Sequence, residues 1–169
     1  PRYDPREIAK HYTIEDTYAI AKTQADYLVE QFEPVSGLIL ATIKGNHEHQ
    51  YEKRHGFAVQ QYYTEKFPFA ALLGYRSWYI LELECEGEVY PIKIDLNHGK
   101  GGSSKLPGYV LNKLKEVFEN SVADIGVMGH IHKLAEHRSK KVDVDENYNY
   151  YNKIQYWGCS GCFLKTYTT

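Results

Sequence analysis

Apolar residues recur at three- and four-residue steps through YTIEDTYAIAKTQADYLVEQFEP, at Ile14, Tyr18, Ala21, Ala25, Leu28 and Phe32. That spacing puts them on one face of a helix, so the segment is predicted helical. Thr13 is placed to cap it, Glu15 and Asp16 stand in the first turn where the helix dipole favours acids, and Pro34 stops it. The pattern then changes to a short apolar run, SGLILATI, bounded by Gly37 and the polar Lys44-Gly45-Asn46. This is the profile of a strand buried on both faces. Residues 52–66 read as a less regular helix.

YRSWYILELECEGEVYPIKIDLNHG gives two alternating strands joined by a turn near Glu86 to Glu88. LPGYVLNKLKEVFEN is a second clear helix, with Val110, Leu111, Leu114, Val117 and Phe118 as its apolar face. ADIGVMGHIHK is again a short apolar strand running into a polar tip. The C-terminal stretch reads as a hairpin turning near Asp145 to Asn147, followed by a further extended segment. Alternating strands and helices, with an antiparallel portion late in the chain, predict a layered α/β domain. Repeats, low-complexity tracts and linkers are absent, and 169 residues fit a single domain spanning 1–169.

A net charge of −2 provides no bulk basic field for nucleic acid or an anionic membrane, which disfavours a pure nucleic-acid-binding module. No apolar run approaches the ~20 residues a bilayer span requires. Three cysteines, Cys85, Cys159 and Cys162, argue against a disulfide scaffold and fit a reducing, cytoplasmic setting. The Cys159–Cys162 spacing lacks a following helix or a second cysteine pair and reads as structural.

The candidate chemistry lies at the strand ends. LILATIKGNHEH ends in Asn46 and His47, YPIKIDLNHGKGG in His98, and DIGVMGHIHK in His130 and His132. Ligands of open α/β sheets bind outside the carboxyl ends of strands, where these side chains would converge. Imidazole suits Zn, Mn or Fe, and an Asn oxygen is a neutral hard donor that leaves a cation electrophilic. His49 lies beside this cluster, and Gly99, Gly101 and Gly102 with Ser103 and Ser104 form either an anion nest near a phosphate or a flexible loop. His11, His55 and His137 read as ordinary surface or core histidines, and Glu48 as a hydrogen-bonding support for its loop.

GNHE at Gly45 to Glu48, the isolated strand-end His98, and GHIH at Gly129 to His132 together resemble the last three signature blocks of the calcineurin-like metallophosphoesterase superfamily. The flanks ADIGVMGHIHK, NHGKGGS and GCSGCFLKTY are similar to its phage- and archaeal-type branch. The resemblance implies an α/β/β/α sandwich. It also implies two divalent ions (Mn, Fe, Zn or Ni class) and hydrolysis of a phosphomonoester or phosphodiester, nucleotides and nucleic acid included, through metal-bound hydroxide. By it, Asn46, His98 and His130 bind one ion, His132 binds the other, and His47 protonates the leaving oxygen. From their position beside the cluster, His49, Gly99 and Gly101 are candidate substrate contacts, with an ordinary surface histidine and a flexible loop as the alternatives.

The family's first two blocks, Asp-x-His and Gly-Asp-x-x-Asp, have no counterpart before Asn46, and the chain opens on Pro1 rather than Met. The expectation is an N-terminally truncated domain, retaining one ion at most and weak or inactive alone. The alternative is a non-catalytic binding or scaffold domain keeping a partial metal site.

Overall fold

The computed structural model describes residues 14–161 except 103, 105 and 107, and for residues 14–18 the backbone alone. Thr13, His11, Ser103 and Cys162, and the side chains of Ile14 and Tyr18, lie outside the described residues. The described residues divide into two compact units, 14–74 and 75–161. Among the described residues, no helix is long and apolar enough to cross a membrane.

In the first unit, α1 (Ile14–Phe32) runs to the residues where the helical periodicity breaks, and Ala21 and Ala25 are its buried positions. Leu28, expected on that face, is exposed. The segment predicted as a doubly buried strand is mostly something else. Glu33–Leu38 form a short 3₁₀ helix, with Pro34 at its start, where its missing N–H costs nothing. Only Ala41–Thr42 pair as β1, half-buried, in parallel with β2 (Ala71–Leu72). The remainder of the apolar run makes no ladder. Gln60, on α3 (Val59–Thr64), joins the two short strands by donating from Nε2 to the Thr42 and Leu73 carbonyls.

Asn46 and His47 are not a strand tip but the first residues of α2 (Asn46–His55). This helix is built as its charges dictate. Glu48 lies in the first turn, Lys53, Arg54 and His55 in the last, and Gly56 closes it in the left-handed conformation, donating to the Glu52 carbonyl.

The second unit is a five-stranded sheet in the order β3-β4-β5-β7-β6. Its strands are β3 (Arg76–Cys85), β4 (Glu88–Asn97), β5 (Ile125–Met128), β6 (Leu134–Val144) and β7 (Tyr150–Ser160). β4, β5 and β7 are parallel; β3 and β6 pair antiparallel at the two edges. The β3–β4 turn falls at Glu86–Gly87, both at positive φ, as a two-residue hairpin connection requires. α4 (Tyr109–Phe118) packs Leu114 and Phe118 onto Met128, Ile131, Trp157 and Cys159. Val110 and Val117 support that core as predicted, whereas Leu111 is 42% exposed.

Strand alternation and register place Leu81, Ile92, Ile94, Leu96, Ile125, Val127 and Ile154 on the sheet face opposite the one holding Met128 and Trp157. This second apolar face explains why β4 reads apolar at alternate positions near its end while Asp95 points the other way.

Candidate functional site

β4 and β5 are neighbouring parallel strands with Asn97 opposite Met128. Residues 98 and 130 therefore leave the sheet at the same carboxyl edge. Backbone hydrogen bonds fix the exits: His98 N–H donates to the Tyr75 carbonyl at 2.7 Å, and Gly129 N–H to the Asn97 carbonyl at 3.2 Å. The Asn97 side-chain oxygen accepts from Gly99 N–H at 2.8 Å. Further back on β4, fully buried Asp95 accepts two hydrogen bonds from Arg76 and one from Ser121.

His130 Nδ1 stands 3.1 Å from His98 Nε2, and His130 Nε2 stands 2.8 Å from the Gly101 carbonyl. The two rings meet edge to face, with centroids 4.9 Å apart, and the Tyr75 ring lies edge-on to His98 at 5.8 Å. Both imidazoles are half-buried. The backbone is strained where it turns: Ile131 N–H donates to the Gly129 carbonyl, closing a three-residue turn about His130 at φ +67°. His132 is also left-handed, at φ +60°. Non-glycine residues in this region cost on the order of 1–3 kcal/mol and persist where packing over-determines them. Here Ile131, 3% exposed in the core, is the anchor between them.

Of the residues the sequence singles out, the second unit brings His98 and His130 together. His132 is exposed at the end of the same turn. Asn46, half-buried, and the exposed His47 and His49 belong to the first unit, on the opening turn of α2. Glu48 on that turn faces Tyr63, whose hydroxyl is pushed upward in pKa by burial and by this carboxylate. Gly101 borders the imidazole pair through its carbonyl, whereas the Gly99 N–H goes to the Asn97 side chain. His55 packs on Tyr51 and His137 on Trp157, both as ring contacts. Cys159 is buried, with its sulfur 3.9 Å from the Gly129 carbonyl.

Tyr75 and the Asp95–Arg76–Ser121 network are the site's neighbours that sequence reading missed. The signal for Asp95 was present: a carboxylate at an inward position of an apolar strand needs a partner.

Two nitrogens sharing one ion through ~2.0–2.1 Å bonds lie about 2.9–3.4 Å apart at bond angles of about 90–110°. The 3.1 Å separation of His98 and His130 falls in that range. Metal-binding histidines also tend to donate their second ring N–H to a carbonyl, the position Gly101 fills. The pair thus fits part of a metal donor set. Among the described residues, no group of three or more His, Cys, Asp or Glu is placed to hold an ion. Set against known proteins, the chain matches no family model, no curated protein and no solved structure.

Proposed function

We propose that this protein is a metal-dependent phosphoesterase of the calcineurin-like type, with His98 and His130 as ligands of one divalent ion. The observation that carries the reading is the 3.1 Å approach of His98 Nε2 to His130 Nδ1, at the carboxyl edge of parallel strands. A bound ion supplies Lewis acidity toward a phosphoryl oxygen and lowers the pKa of water.

The chain's own contribution is to hold two neutral donors at fixed separation on a rigid sheet edge. His132, two residues on, is assigned to a second ion. The resemblance gives Asn46 the part of a neutral oxygen donor and His47 that of a proton donor to the leaving oxygen. An imidazole can carry a proton to a leaving oxygen and so suits the second task. Substrates in view are phosphomonoesters and phosphodiesters, including nucleotides and nucleic acid. In this reading the five-stranded sheet and α4 are one β and one α layer of an α/β/β/α sandwich. Support for that comes from the apolar second face of the sheet, at Leu81, Ile92, Ile94, Leu96, Ile125, Val127 and Ile154.

The test is calorimetric titration with Mn²⁺ alongside hydrolysis of bis(p-nitrophenyl) phosphate. His98→Ala and His130→Ala should each abolish tight binding, while His47→Ala should keep binding and lose turnover. Equal Mn²⁺ affinity in wild type and both histidine variants would overturn the proposal. Turnover that stays absent with Mn²⁺ saturating and the family's first two blocks supplied would favour the alternative, a non-catalytic domain retaining a partial metal site. That alternative draws on the lack, among the described residues, of a three-residue His, Cys, Asp or Glu group.

A further inference from the structure

We propose that the backbone carbonyl of Gly101 is a positioning group for the candidate metal centre. It holds His130 as the tautomer protonated on Nε2 and so leaves Nδ1 as the nitrogen offered to an ion. The part concerning the ion rests on the phosphoesterase reading; the part concerning the tautomer rests on geometry alone.

A carbonyl oxygen only accepts hydrogen bonds. At 2.8 Å from the Gly101 oxygen, Nε2 of His130 carries the proton, and the neutral ring then has its lone pair on Nδ1. Nδ1 is the atom that faces His98 Nε2 at 3.1 Å. Within the pair, His98 donates its Nε2–H to that lone pair. To bind an ion through Nε2, His98 must instead hold its proton on Nδ1. The two rings therefore differ: His130 is already in its binding tautomer, and His98 must exchange one tautomer for the other.

The loop that delivers this carbonyl admits little variation. Gly99 has φ +86°, and a Cβ there would stand 2.8 Å from Met128 Cγ and 2.9 Å from the Gly129 carbonyl. Gly101 has φ +120°, and its Cβ would stand 2.7 Å from the Tyr109 hydroxyl. Only glycine takes these dihedrals without strain and leaves these gaps open. Their role is thus to let the chain pass close over β5 and α4 with one carbonyl aimed at His130.

The experiment is imidazole ¹⁵N NMR on the protein at a pH where both rings are neutral, without metal and with Zn²⁺ as a diamagnetic probe. Expected without metal are Nε2–H tautomers at both His130 and His98. Zn²⁺ should move the His98 proton to Nδ1 and leave His130 protonated on Nε2. Gly101→Ala should raise the Nδ1–H population of His130 and weaken Zn²⁺ binding by ~10–100-fold, the usual effect of losing an outer partner of a ligand. If that variant fails to fold, an ester in place of the 101–102 amide weakens the same carbonyl as an acceptor and keeps its shape.

An Nδ1–H tautomer at His130 in the wild type overturns the inference, and if Zn²⁺ still binds both rings the phosphoesterase reading stands. A changed tautomer with unchanged Zn²⁺ affinity overturns the positioning role. The expected tautomers with no response of either ring to Zn²⁺ overturn the metal-directed half, together with the phosphoesterase reading.

Discussion

His98 Nε2 and His130 Nδ1 lie 3.1 Å apart although 32 residues separate them in the chain. The parallel pairing of β4 and β5 accounts for this, since both strands end at the same edge with Asn97 opposite Met128. If the two rings serve one ion, their contributions are coupled rather than additive. His98→Ala should weaken Mn²⁺ binding by more than ~100-fold, beyond what loss of an outer partner costs. His130→Ala should do the same, and the double variant should lose little beyond either single change. Titration calorimetry on the three variants checks this, and strictly additive losses would speak against a shared ion.

The Asp95–Arg76 pair supports the strand that carries His98. The carboxylate is fully buried and accepts from Arg76 Nη2 at 2.6 Å and from Ser121 Oγ at 2.8 Å, while the guanidinium is partly exposed. The carboxylate's hydrogen bonds hold the Arg76 pKa above its ordinary value. Removing the arginine leaves a buried charge without its partner. Because about half of the Arg76 side chain is exposed and water can replace part of its role, Arg76→Ala should cost ~1–3 kcal/mol. For a chain of this length that is a fall in Tm of roughly 2–12 °C. Asp95→Asn, which removes the charge and keeps the shape, should cost less. Thermal unfolding followed by circular dichroism decides the order, and the opposite order would refute this account.

The strongly periodic elements could be read from the sequence because local pattern and tertiary packing agree there. α1, the β3–β4 hairpin, α4, β5 and the β6–β7 hairpin all fall where the period predicts. The region around residues 36–55 reads differently from how it folds. SGLILATI has a strand's composition, but whether a short apolar run forms a ladder depends on the partner strand, which the run itself does not encode. α2 was hidden because residues 46–55 have one buried side chain, Tyr51, and the apolar period is correspondingly weak. Its start and stop signals, Glu48 and Gly56, were the better guide. At the site, the approach of His98 to His130 follows from strand order, which strand-end patterns only suggest. The part played by the Gly101 carbonyl could not be read at all, since it depends on a backbone oxygen and every residue has one.

Phe118 and Leu111 test which face of α4 is buried. Phe118 is fully buried against Trp157 at a ring separation of 6.3 Å, whereas Leu111 is largely at the surface. Phe118→Ala should cost ~3–5 kcal/mol through lost burial and the cavity left behind. Leu111→Ala should stay within about 0.5 kcal/mol. Urea unfolding of both variants measures the contrast, and comparable losses would mean that α4 is rotated from the placement described.

Asp124 gives the fold a defined acid sensitivity at the amino end of β5, the end of the strand opposite the site. Its backbone N–H donates to the Lys93 carbonyl at 2.8 Å, and its carboxylate accepts from Lys93 N–H at 2.8 Å and pairs with Lys153 at 3.2 Å. This clamp extends the β4–β5 pairing on which the His98–His130 approach depends. Burial pushes the carboxyl pKa up, but the Lys93 amide and the Lys153 ammonium together outweigh it, so the net displacement is downward. A folded-state pKa below the unfolded value of ~3.9 means the native state is favoured while the group is ionised. That stabilisation is fully present above about pH 4 and is lost as pH falls through the folded-state value. Asp124→Asn should be less stable than wild type at pH 7, and the difference should close as the pH is lowered from about 5 to about 2. Denaturant midpoints of the two proteins across that range are the measurement. A difference that stays constant with pH would show that the carboxylate's charge has no part in holding β4 to β5.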